Sequence, residues 1–191
     1  MVEMTSDLHI DTLDPSEWPA NIVVGNNTVL TGDKPFKRFY SEQDPALTIG
    51  HDCTILGAQF SIGTRGLVQI GDFCYFTNPV LLCEEKLSIG NNVVIGWNAT
   101  ITDSDFHPLS PSDRIQDAIA NSPLGSIEDR PPFAKSPVVI DDGVWIGPGA
   151  TILKGVHIHQ EAWIEPGAVV LKDIPAGARV IGNPAMIVGT E

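Results

Sequence analysis

Ile140-Asp-Asp-Gly-Val144-Trp-Ile146-Gly-Pro-Gly-Ala150-Thr-Ile152-Leu-Lys-Gly-Val156-His-Ile158-His-Gln-Glu-Ala162-Trp-Ile164-Glu-Pro-Gly-Ala168-Val-Val170 is the stretch that decides the fold. An aliphatic residue returns at every sixth position: Ile140, Ile146, Ile152, Ile158, Ile164 and Val170. The residue four places after each of the first five is small: Val144, Ala150, Val156, Ala162 and Ala168. A period of six fits neither the helix nor the alternating strand of a hairpin. It fits a short strand, a turn and another short strand, which is the signature of a parallel β-helix. Three hexads make one triangular coil, so coils that start at Ile140 and Ile158 are 18 residues apart. The marker and the small residue point inward, and the small one lets the corner close.

The same markers run backwards through the chain as Val24, Leu30 and Phe36; Ile49 and Ile55; Ile70, Phe76 and Leu82; and Ile89, Ile95 and Ile101. Small residues accompany them at Cys53, Cys74, Val93 and Ala99. Coil starts therefore fall near Val24, Ile49, Ile70, Ile89, Ile140 and Ile158, an all-β solenoid of about six coils. The early steps exceed 18 residues and imply small loops, and the step from Ile89 to Ile140 holds one large insertion. The expected organisation is an N-terminal arm (1–23), N-terminal coils (24–106), an insertion (107–137), C-terminal coils (138–175) and a cap (176–191). Trp18 should anchor the arm on apolar surface. A stack whose coils touch only their neighbours leaves two open ends, which arm and cap would cover.

At 191 residues the chain is long enough for one domain with a core. A net charge of -13 argues against a nucleic-acid surface, which needs basic stripes. Cys53, Cys74 and Cys83 are odd in number and widely spaced, which is unlike a disulfide framework. The first two read as core thiols. No Cys/His cluster suggests zinc, so no metal is expected. The acidic start, Met1 to Asp14, does not look like a signal peptide, and no apolar run is long enough to span a bilayer. The expected location is cytoplasmic.

A second stretch carries the chemistry: Ile101-Thr-Asp103-Ser-Asp105-Phe-His107-Pro-Leu109. If extended, it sends Asp103, Asp105 and His107 out on one face. A histidine beside a carboxylate is the minimum kit for a general base. The hexad pattern breaks directly afterwards. The insertion that follows carries Arg114, Arg130, Lys135 and several prolines, and is long enough to form a pocket wall.

The hexads, Asp103-Ser-Asp-Phe-His-Pro108 and Val144-Trp-Ile-Gly-Pro-Gly-Ala150 together resemble the hexapeptide-repeat acyltransferases. The likeness is greatest to sugar and polysaccharide O-acetyltransferases of the maltose and galactoside type. The resemblance implies a left-handed coil, acetyl-CoA as co-substrate, and a homotrimer with active sites between subunits. His107 falls at the family's catalytic histidine, which takes a proton from an acceptor hydroxyl or amine. Asp103 or Asp105 would fix its tautomer.

For CoA the resemblance points to Trp145, Gly147, Pro148, Gly167 and Ala168 along the C-terminal coils. Trp163 lies 18 residues from Trp145, on the same outer face. Val170-Leu-Lys-Asp-Ile-Pro175 resembles the family's Val-Thr-Lys-Asp-Val-Pro, which makes Lys172 a phosphate contact and replaces a threonine by Leu171. Gly182-Asn-Pro-Ala185 is followed by Met186 where the family has a lysine, so Arg179 would have to supply the charge. Asn78, Glu84 and Trp97 are the expected acceptor contacts.

Two other readings use the same scaffold. A zinc hydratase of the γ-carbonic anhydrase type needs three converging imidazoles, drawn from His51, His107, His157 and His159. His157 and His159 alternate and so share a face. A silent scaffold would bind no CoA. Serine acetyltransferase, a nearer enzyme, carries a long helical N-terminal domain that residues 1–23 cannot supply.

Overall fold

A computed structural model describes Asp14 and residues 18–190. Most of the expected arm lies outside the described residues. Its Trp18 is half-buried and sits edge-on to Phe36, with ring centroids 6.1 Å apart.

The chain winds into a three-faced parallel β-helix. Face one stacks β1 (Ile22–Val24), β4 (Leu47–Ile49), β7 (Leu67–Ile70), β10 (Lys86–Ile89), β13 (Val138–Ile140) and β16 (His157–Ile158). Face two stacks β2 (Val29–Thr31), β5 (Thr54–Leu56), β8 (Tyr75–Thr77), β11 (Val94–Ile95), β14 (Trp145–Ile146), β17 (Trp163–Ile164) and β19 (Ala178–Ile181). Face three stacks β3 (Arg38–Phe39), β6 (Gln59–Ile62), β9 (Val80–Cys83), β12 (Thr100–Thr102), β15 (Thr151–Ile152) and β18 (Val169–Val170).

Val24, Ile49, Ile70, Ile89, Ile140 and Ile158 stand in one register on face one, as the hexads require. From Ile49 onward these markers are buried, as are the small corner residues from Cys53 to Ala168. Burying each large aliphatic contributes roughly 1.5–3 kcal/mol. Leu82 departs from the pattern. Leu81 faces inward instead, in register with Phe60 and Ile101. The corner at Asn78, in left-handed conformation (φ 48°), is one residue shorter than the corner of the next coil, since Phe76 and Val80 pair with Ile95 and Thr100, and this shifts the phase of β9.

Six coils have all three faces, and Ile174, bridged to Ile158, begins a partial seventh that β19 continues. The segment expected as a cap therefore first adds a coil strand, with Ala178 and Val180 buried. It then folds back as β20 (Met186–Thr190), antiparallel to β19. The edge between faces one and two carries a ladder of side chains that accept the backbone N–H of the preceding coil. Asp72 accepts from His51, Asn91 from Asp72, and Asp142 from Asn91, at 2.7–2.8 Å. Such corners satisfy backbone donors that the short strands leave over.

The insertion leaves the edge between faces three and one. It holds α1 (Pro111–Ala120) and a short 3-10 turn (Ile127–Asp129). Pro111, with its fixed φ and missing N–H, suits the first turn of α1. The base of the insertion is pinned by an antiparallel bridge between Ser104 and Lys135.

Candidate active site

His107 follows a tight turn rather than an extended strand. β12 ends at Thr102, Phe106 adopts a left-handed φ of 57°, and the His107 N–H donates to the Asp105 carbonyl at 2.6 Å. The three side chains expected on one face accordingly diverge. Such a φ costs a non-glycine residue of order 1–3 kcal/mol and persists only where surroundings hold it. Here Arg130 Nη2 donates to the Phe106 carbonyl at 2.6 Å.

Asp103 turns inward and is fully buried. Its Oδ1 accepts the Glu84 N–H at 2.8 Å, and its Oδ2 accepts those of Glu85 and Lys86 at 2.7 Å. The Cys83 thiol donates to the same oxygen at 3.4 Å. Burial, with Asp103 beside it, pushes that thiol well above its ordinary pKa. Asp103 thus caps the turn between β9 and β10 and has no part in orienting the imidazole. Asp105 pairs with Lys154 at 2.6 Å.

The carboxylate that meets His107 is Asp117, from α1. Asp117 Oδ2 contacts His107 Nδ1, and Arg130 Nε donates to Asp117 Oδ1 at 2.7 Å. Asn121 adds a donor to Oδ1 at 3.2 Å. Asp117 is buried, whereas the His107 side chain is 63% exposed. Arg130 foremost, and His107 after it, hold the Asp117 carboxyl below its usual pKa although burial opposes them. A buried acid on Nδ1 leaves Nε2 to face solvent, which is the geometry of an oriented general base. Sequence reading missed Asp117 because it read no helix in the insertion. The Ser110-Pro111-Ser-Asp113 start was the available signal.

The other expected residues divide between edges. On the His107 edge lie Glu84, paired with Lys135 at 3.5 Å, then Lys154, and Lys172, which is exposed with no ion-pair partner among the described residues. On the edge between faces two and three lie Asn78, Trp97, Gly147-Pro148-Gly149 and Glu165-Pro166-Gly167. Trp97 is exposed there. These corners stack directly: Gly149 donates to the Trp97 carbonyl at 2.8 Å and Gly167 to that of Pro148 at 2.9 Å.

Around Gly149 and Gly167 a side chain would meet nothing within 4 Å, so their outer surface is open to a ligand. Ala168, expected against CoA, is buried, and its carbonyl accepts from Thr151; its methyl fills the corner instead. On face two, Trp145 and Trp163 stack with centroids 4.1 Å apart, in register with Arg179. Arg179 is engaged by Glu165, through Nε at 2.5 Å, so its charge is already partnered.

Among the described residues no three imidazoles converge. His107 meets Asp117, His51 Nδ1 accepts the Asn26 N–H at 3.0 Å, and His157 and His159 stand beside Asp141.

No family model matches the chain. Among curated proteins, a galactoside O-acetyltransferase of Lactococcus lactis is 31% identical over 152 residues, covering 79% of this chain and 63% of that protein. A nodulation protein L of Rhizobium meliloti is 40% identical over 123 residues, covering 64% of this chain and 59% of the relative. The chain thus spans less than two thirds of the length of these relatives. Among solved structures, a hexapeptide-repeat acetyltransferase from Vibrio cholerae, complexed with acetyl coenzyme A, superposes with a TM-score of 0.59 at 25% identity, covering 82% of this chain and 73% of that one. An N-acyltransferase from Bacillus cereus shares the fold, with a TM-score of 0.61 at 15% identity over 88% of this chain and 83% of the other. The chain is similar to hexapeptide-repeat acetyltransferases, those of the galactoside type among them.

Proposed function

We propose that the protein is an acetyl-CoA-dependent acetyltransferase acting on a hydroxyl, or an amine, of a small acceptor of the sugar class. The observation that carries this reading is the relay of Arg130, Asp117 and His107, buried at one end and open at the other, on a β-helix of acetyltransferase type. Nε2 of His107 takes the acceptor proton as the acceptor oxygen or nitrogen attacks the acetyl carbonyl; the thioester C–S bond breaks, and the proton passes from Nε2 to the departing sulfur. Asp117 holds the ring in the Nδ1–H tautomer and stabilises the imidazolium that forms. Such a base contributes about 10²–10⁴-fold. Asp105 and Lys154, mutually paired, line the same edge.

Acetyl-CoA, when bound, supplies the activated acyl group. Trp145, the corners Gly147-Pro148-Gly149 and Gly167, open at Gly149 and Gly167, and exposed Lys172 fit the needs of an extended chain ending in phosphates. Arg179 would join them only by leaving Glu165.

Trp97 and Asn78 lie on one edge of the prism and His107 and Glu84 on another, with face three between them. A single small acceptor that touches both sets must sit where one subunit's edge faces another's. We therefore infer a homotrimer with sites between subunits, working in the cytoplasm where acetyl-CoA is made.

The deciding experiment is calorimetric titration of acetyl-CoA into the parent and Lys172→Ala. Micromolar binding at one site per chain, weakened in the variant, is expected. No binding at millimolar ligand would sink the proposal and leave a silent scaffold.

A further inference from the structure

The third edge of the prism, between faces one and two, carries a cluster that the transfer reaction does not use. His157 in β16 and His159 just beyond it flank Ile158, which is fully buried. In an extended segment, alternate residues share a face, so both imidazoles leave the same side of the coil. Their ring centroids are 3.8 Å apart, tilted by 34°. The register Ile140↔Ile158 brings Asp141 from the coil below alongside. Its Oδ1 lies 2.9 Å from His157 Nε2 and its Oδ2 3.4 Å from His159 Nδ1.

We propose that Asp141, His157 and His159 bind one divalent transition-metal ion of the zinc or nickel class, clipping the fifth and sixth coils together. One donor atom from each residue lies within 4.8 Å of the others. Donors bound to one ion at about 2.0–2.2 Å are themselves about 3.0–3.5 Å apart in tetrahedral or octahedral geometry. The two Asp141 separations already fall in or near that span. Two imidazoles and one carboxylate suit zinc, nickel, copper or iron(II) far better than magnesium or calcium, which prefer all-oxygen shells.

The ligands are held before any ion arrives. The His157 N–H donates to Asp173 Oδ1 at 2.8 Å, and the His159 N–H to the Ile174 carbonyl at 2.9 Å, so the next coil fixes both backbones. All three side chains remain about one third to two fifths exposed, which gives the ion an entry path and leaves positions for water. The site is remote along the chain path from the reacting histidine: the insertion enters β13 at Val138, and Asp141 leaves its far end. The ion's role is accordingly to tie coils, not to transfer acyl groups.

The test uses the full chain after treatment with chelator and desalting. Zinc and, separately, nickel are titrated calorimetrically and thermal unfolding is followed. The expected result is one ion per chain with Kd in the micromolar range or below. At a hundredfold excess over Kd, Tm should rise by about 5–10 °C. His159→Ala and Asp141→Asn should each weaken binding at least tenfold and lose most of the Tm shift, whereas His107→Ala should keep both. His157→Gln provides a second ligand variant if one of these folds poorly, with folding checked by circular dichroism in the absence of metal. Millimolar binding of both ions would overturn the proposal. So would unchanged affinity in the ligand variants, or loss of binding in His107→Ala instead.

Discussion

Asp117 Oδ2 contacts His107 Nδ1, joining a buried carboxylate on the inserted helix to an imidazole that is 63% exposed. The ring is therefore oriented from one side and free on the other. Asp117 is in turn held by Arg130 from beyond the 3-10 turn, so the insertion itself supplies the groups that hold the ring and then returns to the coil.

His107→Ala should lower kcat by about 10²–10⁴-fold while acetyl-CoA affinity stays within a few-fold of the parent. Steady-state kinetics with a galactoside acceptor, together with calorimetry, measure both quantities. Parallel loss of the two would assign His107 a structural role.

Asp117→Asn keeps the shape but removes the charge that favours the Nδ1–H tautomer. The expectation is a fall in kcat of about 10²-fold or more with the acetyl-CoA KM nearly unchanged. A variant with parent kcat would show that His107 needs no orienting acid.

The depressed pKa of Asp117 has a defined sign for stability. The folded state favours the carboxylate, so its stabilising contribution is present above the ordinary carboxyl pKa of 3.8 and is lost as pH falls through the lower folded value. Arg130→Met removes the largest cause of that depression. Its urea midpoint should be lower than the parent's at neutral pH and should fall less on acidification below the ordinary carboxyl pKa, so that the two curves converge at low pH. Superimposable midpoint-against-pH curves would refute the pairing.

Asp103→Asn tests a structural assignment. An amide nitrogen cannot accept from the backbone donors of Glu85 and Lys86, and a buried group left unsatisfied by its partners costs about 1–3 kcal/mol, or more where charge is involved. A Tm lower by about 4–12 °C is expected, with kcat per folded molecule within a few-fold of the parent. A parent-like Tm with collapsed kcat would instead return Asp103 to the catalytic group.

Gly147→Ala and Gly167→Ala separate packing from conformation. A methyl at Gly147 would come within 2.6 Å of the Pro166 nitrogen and force the coils apart. At Gly167 it meets open space, and only the left-handed φ of 70° opposes it. Thermal melts should show the larger loss for Gly147→Ala, and equal losses would contradict the close coil contact there.

The sequence by itself determined the solenoid. The hexad period is local, and each inward residue faces only the same position in neighbouring coils. The register of Val24, Ile49, Ile70, Ile89, Ile140 and Ile158 was therefore legible from spacing alone. It failed at Leu82, where a corner one residue shorter changes the phase without leaving a mark in the pattern. The position of His107 was legible too, because it stands where the repeat breaks.

Only the tertiary structure decided what surrounds His107. Asp103 and Asp105 are its neighbours in sequence, yet the left-handed turn at Phe106 points the three side chains apart. Asp117 and Arg130 reach the site because α1 and the segment after the 3-10 turn fold back over the edge. Their separations of 10 and 23 residues from His107 follow no period of the coil. The same holds for Asp141: His157 and His159 share a face by simple alternation, but only the stacking of one coil on the next supplies their carboxylate.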